Sequence, residues 1–171
     1  MEELMKRVVL HDRKAWTEKV ASPKAHGEYV VVRLESSPIC GSDKKHFFNN
    51  EREIHYAGHE GTGIVVDVDR SNLVKVGDRV LTNCLSGCGV CEHCRSGNYI
   101  YCPDKAPMEK ASSHFAQYTE IQDFLCIPLP DDISFDKGSL AGCVLAPAFN
   151  TLNKMAVIPS DIVLVIGCGP V

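Results

Sequence analysis

Four cysteines carry the strongest chemical signal in this sequence: Cys88-x-x-Cys91-x-x-Cys94, with Cys102 following in the same loop. Two-residue gaps let a short loop turn several sulfurs inward onto one ion, and four thiolates around a tetrahedral centre suit Zn²⁺. A site with four protein donors has no open position, so its role would be structural. An iron–sulfur cluster is the rival reading of closely spaced cysteines, and unrelated buried thiols are the bland one. Cys84 precedes the group and is expected to be a bystander, since the other four already complete a tetrahedron.

A second set is dispersed. Cys40 stands in Ile-Cys-Gly-Ser-Asp43 and His59 in Gly-His-Glu60. A lone Cys is usually a small buried hydrophobe, and a lone His is seldom a ligand. Flanked by Gly41 and Gly58, and with Asp43 or Glu60 available to orient the imidazole, they suggest two donors of an open, catalytic zinc site. Cys143, in a helical stretch further on, is the candidate third donor. A third signal is Val163-Leu-Val-Ile-Gly167-Cys-Gly169, an apolar run entering Gly-x-Gly, which is how a dinucleotide-binding turn begins. Gly167 and Gly169 are therefore the candidate cofactor-binding residues, and a buried strand with a glycine turn is the plain alternative.

The elements that must position these residues are mostly strands. Arg7–His11, Glu28–Leu34, Gly63–Asp69, the segment after the Gly77-Asp78 turn, Phe115–Ile121 and Phe124–Pro128 are β-branched or apolar runs between turn residues. Ser42 is placed to cap a short helix over 43–48. Ser134 opens a helical pattern carried by Leu140, Val144, Leu145, Phe149 and Leu152. The run from Asp161 to Gly167 reads as a strand of a parallel sheet.

Composition narrows the functions. Nine cysteines in a chain without an apolar leader point to metal in a reducing compartment, with the cytoplasm as the expected address. Net charge is −4 and the pI about 6.0, and six thiolates around two Zn²⁺ make the loaded chain more acidic still. Nucleic-acid binders usually carry a basic face, so no nucleic-acid partner is expected. No membrane partner is expected either, because no apolar run approaches the roughly 20 residues of a span.

In order and spacing, Cys40-Gly-Ser-Asp43, Gly58-His-Glu60, Val74-Lys-Val-Gly-Asp-Arg-Val80, the four-cysteine loop, Phe115-Ala-Gln-Tyr118, Cys143 and the glycine-ended strand resemble the zinc-containing medium-chain alcohol dehydrogenases. The resemblance implies a mainly β fold. A GroES-like distorted barrel over 1–150, with a structural-zinc lobe at 83–103, would be followed over 151–171 by a connecting helix and the first strand of a truncated Rossmann α/β domain. It implies two Zn²⁺ per chain and, in a longer parent, NAD or NADP. The catalytic zinc would polarise an alcohol or carbonyl oxygen for hydride transfer. Cys40, His59 and Cys143 would hold that zinc, with Glu60 beside it and counted in the metal set. Ser42 would take the hydroxyl proton, and Asp43 would orient His59. Where many relatives end their proton relay on a histidine, this sequence has Lys45 and then His46. Partners would be a small alcohol, aldehyde or ketone and copies of the chain, as dimer or tetramer. The chain alone would be inactive. A different function class, a zinc-stabilised binding module without catalysis, applies if the natural chain ends here.

Overall fold

The architecture comes from a computed structural model, which describes residues 3–83, 85–105 and 113–167. It contains a hairpin, β1 (Leu4–His11) with β2 (Lys14–Ala21), and a five-stranded antiparallel sheet. The sheet is built from β3 (Tyr29–Ser36), β4 (Gly61–Asp67), β5 (Arg79–Thr82), β6 (Tyr118–Gln122) and β7 (Cys126–Pro128), in the order β6-β3-β4-β5-β7. Isolated bridges Arg7↔Ala116 and Leu10↔Ile54 join the hairpin to the rest. The result is a distorted, mainly β barrel, as the sequence leads one to expect.

The strands form where β-branched residues can face one core. Val30, Val32, Val65, Val80 and Ile121 are almost wholly buried and pack with Val74, Leu125 and Cys126. A second cluster, Leu10, Ile54 and Ala57, is backed by Val8, Phe47, Tyr56 and Phe115 beneath the hairpin. Fully burying an aliphatic side chain of this size is worth about 1.5–3 kcal/mol, so these two clusters anchor the loops that carry the chemistry.

Among the described residues, four α-helices follow from short local patterns: α1 (Asp43–Phe47), α2 (Glu92–Arg95), α3 (Phe135–Ser139) and α4 (Ala146–Met155). Ser134 caps α3, its hydroxyl accepting the Lys137 N–H at 3.4 Å. Ser42 occupies the cap position of α1 but makes no capping hydrogen bond. Between α3 and α4 the chain widens into one turn of π-helix, Ala141–Leu145. No helix among the described residues is long and apolar enough to cross a membrane.

Three expectations need correction. The sequence reading misses β2, because its turn is Asp12-Arg13 rather than a glycine pair. Both turn residues adopt positive φ, 42° and 61°, the backbone that a tight two-residue hairpin demands. The helical pattern expected from Ser134 through Leu152 is interrupted by the π turn. The strand expected over 161–167 is not formed. A strand needs a ladder partner, none of the described strands reaches these residues, and Ile162, Leu164, Val165 and Ile166 stand 71–100% exposed.

Candidate metal centres

The four-cysteine loop folds around a single point. The ligand atoms of Cys88, Cys91, Cys94 and Cys102 all lie within 4.8 Å of one another. Three of the four sulfurs accept a backbone amide from the loop: Cys91 N–H donates to Cys88 Sγ at 3.4 Å, Cys94 N–H to Cys91 Sγ at 3.4 Å, and Cys88 N–H to Cys102 Sγ at 3.3 Å. Such amides favour the thiolate, and the Val90 and Cys91 amides bring the Cys88 thiol down to about 6. Burial acts the other way on Cys94, pushing it up to about 12. The loop tolerates no bulk at Gly87, where a Cβ would stand 2.6 Å from Cys94 Sγ.

The lobe is fastened to the barrel by Gln122 at the end of β6. Its Nε2 donates to the Gly87 carbonyl at 2.7 Å and its Oε1 accepts the Gly87 N–H at 3.4 Å. Sequence reasoning misses this residue, since a lone Gln at a strand end carries no distinguishing pattern. The Phe124 ring meets Tyr99 at 5.7 Å between centroids and backs Gly89. Cys84 lies outside the described residues.

The dispersed set also converges. Cys40, His59, Glu60 and Cys143 place one ligand atom each within 4.8 Å of all the others. Cys40 sits in the loop before α1, His59 and Glu60 at the entry to β4, and Cys143 in the π turn. That turn brings Cys143 Sγ to 3.8 Å from Cys40 Sγ. A disulfide needs about 2.05 Å, whereas two sulfurs on one tetrahedral zinc, each at about 2.3 Å, lie about 3.8 Å apart. The Cys88–Cys94 separation of 4.0 Å is of the same kind.

Asp43 organises this cluster. Its Oδ2 accepts the Cys40 N–H at 2.9 Å, and its Oδ1 lies 3.5 Å from His59 Nδ1. The Asp43 carboxylate holds the His59 imidazole up, to about 8, against the opposing effect of burial. Burial raises Asp43 itself, but His59 and the Cys40 amide outweigh it and the net direction is down. Cys40 behaves likewise: burial raises the thiol, while bonds from Ser42, Cys143 and His59 lower it further. His59 Nε2 faces Ser42 Oγ and Glu60 Oε1, each at 3.5 Å. Glu60 is 2% exposed, and neither carboxylate oxygen has a hydrogen-bond donor. A buried carboxylate left so is costly unless a cation meets it. Two thiolates, an imidazole and this carboxylate form a donor set that zinc fits.

Gly58 explains part of the placement. It adopts φ +79°, and a Cβ there would stand 2.8 Å from the Phe115 amide nitrogen, so the turn that aims His59 needs glycine. Ser37 Oγ donates to the Glu60 carbonyl at 2.7 Å and steadies the next residue. Lys45 is exposed on α1. His46 is half-buried with its Nδ1 unbonded, and its ring edge meets Tyr56. Gly167 has φ +92° with no atom near it, and Gly169 lies outside the described residues.

Known proteins share this fold and are similar in sequence. Residues 26–131 match the alcohol dehydrogenase GroES-like domain. The chain is 32% identical over 169 residues to an uncharacterized zinc-type alcohol dehydrogenase-like protein, YphC, of Escherichia coli (strain K12), covering 90% of this chain and 48% of that protein. It is 31% identical to a sorbitol dehydrogenase of Bacillus subtilis (strain 168), covering 98% of this chain and 50% of that one. Among solved structures, an E. coli oxidoreductase/dehydrogenase of unknown specificity superposes with a TM-score of 0.77 at 26% identity, over 92% of this chain and 49% of the other. The chain thus spans about half the length of the relatives it matches. With the barrel, the motifs and the domain match in agreement, the chain belongs to the alcohol dehydrogenase GroES-like domain family.

Proposed function

We propose that this chain is the metal-holding catalytic part of a zinc-dependent oxidoreductase that moves hydride between an alcohol or carbonyl compound and NAD(P). The observation that carries this reading is the convergence of Cys40, His59, Glu60 and Cys143 from three distant segments onto one point. A module that used metal only for stability would have no need of a second, mixed donor set beside a complete four-sulfur one.

When bound there, zinc supplies a Lewis acid that polarises the substrate oxygen. The chain's own residues do the rest. Cys40 and Cys143 give thiolates, and His59 presents Nε2 because Asp43 engages Nδ1. Glu60 contributes a carboxylate on the side facing His59 Nε2. Ser42, whose hydroxyl neighbours the same nitrogen, accepts the proton of the substrate hydroxyl. Cys88, Cys91, Cys94 and Cys102 hold a second, structural zinc.

In this reading residues 1–150 are the catalytic domain, with 83–103 as the zinc lobe. Residues 151–171 connect to an NAD(P)-binding domain, Gly167 and Gly169 opening its phosphate turn. The exposed apolar faces of α4 and of 162–166 support this, as surfaces that a second domain would cover. Polyols are the first substrates to assay, because relatives named sorbitol dehydrogenase and probable D-xylulose reductase are among those similar to this chain. The parent protein works in the cytoplasm as a homodimer or tetramer.

Elemental analysis of the purified chain tests the proposal. Two zinc ions per chain are expected, falling to one in Cys40→Ser. A single zinc in the unmodified chain supplied with excess metal, or iron in its place, overturns the two-site reading. The 171-residue chain itself should bind NADH weakly, since a pyrophosphate site requires a helix N-terminus after the glycine turn. Saturable micromolar binding in calorimetry would place the cofactor site elsewhere.

A further inference from the structure

Behind the Cys40–Asp43 loop, on the hairpin side, lies a cavity of about 720 Å³ that the metal chemistry does not use. Its wall is apolar: Val8 and Leu10 from β1, Ile39, Phe47 from α1, and Phe115. Cys40, His59, Glu60 and Cys143 are not part of its lining, so it is distinct from the mixed metal cluster. The volume lies within the range of small-molecule pockets, roughly 300–1,000 Å³.

The charges around it are unbalanced. Lys6, Arg7 and Lys44 line the cavity, and the lone carboxylate in its lining is Asp43. Arg7 is occupied by Glu18, Nε to Oε1 at 2.7 Å, and the same Glu18 oxygen also meets His55. Asp43 is occupied by the Cys40 amide and His59. Lys6 and Lys44, both exposed, make no ion pair among the described residues. In a chain of net charge −4, an apolar hollow whose lining includes two lysines without ion pairs is complementary to one kind of molecule, with an apolar body and a single anionic end.

From this we infer that the cavity is a binding site for a small amphipathic carboxylate, an aliphatic or aromatic acid. Its tail packs among Val8, Leu10, Ile39, Phe47 and Phe115, and its carboxylate meets Lys6 and Lys44. Because Asp43 forms part of the wall, the occupant lies one side chain away from His59. The inference does not depend on either metal site being loaded.

Decanoate, kept below its micelle concentration, is the probe. Isothermal titration of the 171-residue chain should give saturable, one-site binding that weakens with added salt. Backbone amide shifts should move at Thr17, Ile39 and Phe115. Lys6→Glu combined with Lys44→Glu should weaken binding about tenfold. Thr17→Trp, at an exposed strand position lining the cavity, intrudes on the space and should weaken binding while circular dichroism stays native. The inference is overturned by the absence of saturable binding, by decanol binding as tightly as decanoate, by affinity unchanged in both variants, or by binding confined to anionic phosphatidylglycerol vesicles.

Discussion

The two metal clusters are built in opposite ways from similar parts. The four-sulfur lobe takes its donors from one loop, and every approach to a sulfur is made by an amide from the same few residues. The mixed cluster takes Cys40, His59 with Glu60, and Cys143 from segments as much as 103 positions apart. It leaves a buried carboxylate without a donor and a serine hydroxyl beside the imidazole. The four-sulfur site is closed and lies in a segment with little apolar core of its own, so the order of that segment depends on its metal. The donors of the mixed site are carried by elements that the barrel core already fixes, so the loss of its metal costs the fold less.

Substituting one sulfur in each cluster should break the symmetry, with the larger effect in the lobe. Cys91→Ser removes a donor and the sulfur that caps α2, in a segment with little apolar core of its own. A loss on the order of 4 kcal/mol is expected, lowering the melting temperature by roughly 10 °C or more for a chain of this size. Cys40→Ser should lower it by a few degrees at most, although it empties the mixed site. Thermal melts of both variants with zinc supplied decide the ordering, and a more damaged Cys40 variant would reverse the comparison.

The next effect concerns how the lobe reports to the barrel. Gln122→Leu removes both hydrogen bonds to the Gly87 backbone and leaves buried polar groups unpaired, at a cost of about 2–3 kcal/mol. Zinc content should stay at its original value, because no ligand is touched. Hydrogen exchange should accelerate across 87–102 and leave the β3–β4 pairing unchanged. Uniform acceleration over the whole chain would mean that lobe and barrel open as one unit.

How readable each region is in the sequence follows the same division. Regular spacing announces Cys88, Cys91, Cys94 and Cys102 because their site is local. Cys40 and His59 are weak signals singly and gain weight only through resemblance. Cys143 reaches Cys40 by way of a π turn that interrupts a helical pattern, marked in the sequence by Gly142 within it and by Pro147, which has no N–H to give, just after it. The β2 strand is hidden for a related reason: Asp12 and Arg13 adopt left-handed backbone without glycine. The 161–167 run is apolar enough for a buried strand, yet a strand is a property of a pair, and sequence pattern alone does not supply the partner. Gln122 acts through geometry that no periodicity encodes.

The smallest effect on the fold, and the sharpest test of the mixed cluster, comes from Asp43→Asn. The side chain keeps its shape and can still accept the Cys40 amide, so the melting temperature should move little. Its charge is lost, and with it the main cause that holds His59 at about 8 in the metal-free chain. Metal requires the imidazole unprotonated, so in the unmodified chain protons compete below about pH 8, and affinity for a probe ion such as Co²⁺ falls as pH drops. For the metal-free fold the sign is the reverse. A histidine raised from 6.5 to about 8 stabilises below pH 6.5, and that contribution is lost as pH rises through 8. In Asp43→Asn the competition should move down toward the ordinary histidine value of about 6.5, while the less well oriented ring binds roughly 10-fold more weakly at pH 9. The gap between the two proteins should therefore narrow from pH 9 to pH 7, as read from thiolate-to-cobalt absorption in titrations at each pH. Parallel profiles would show that Asp43 positions the loop without governing the proton on His59.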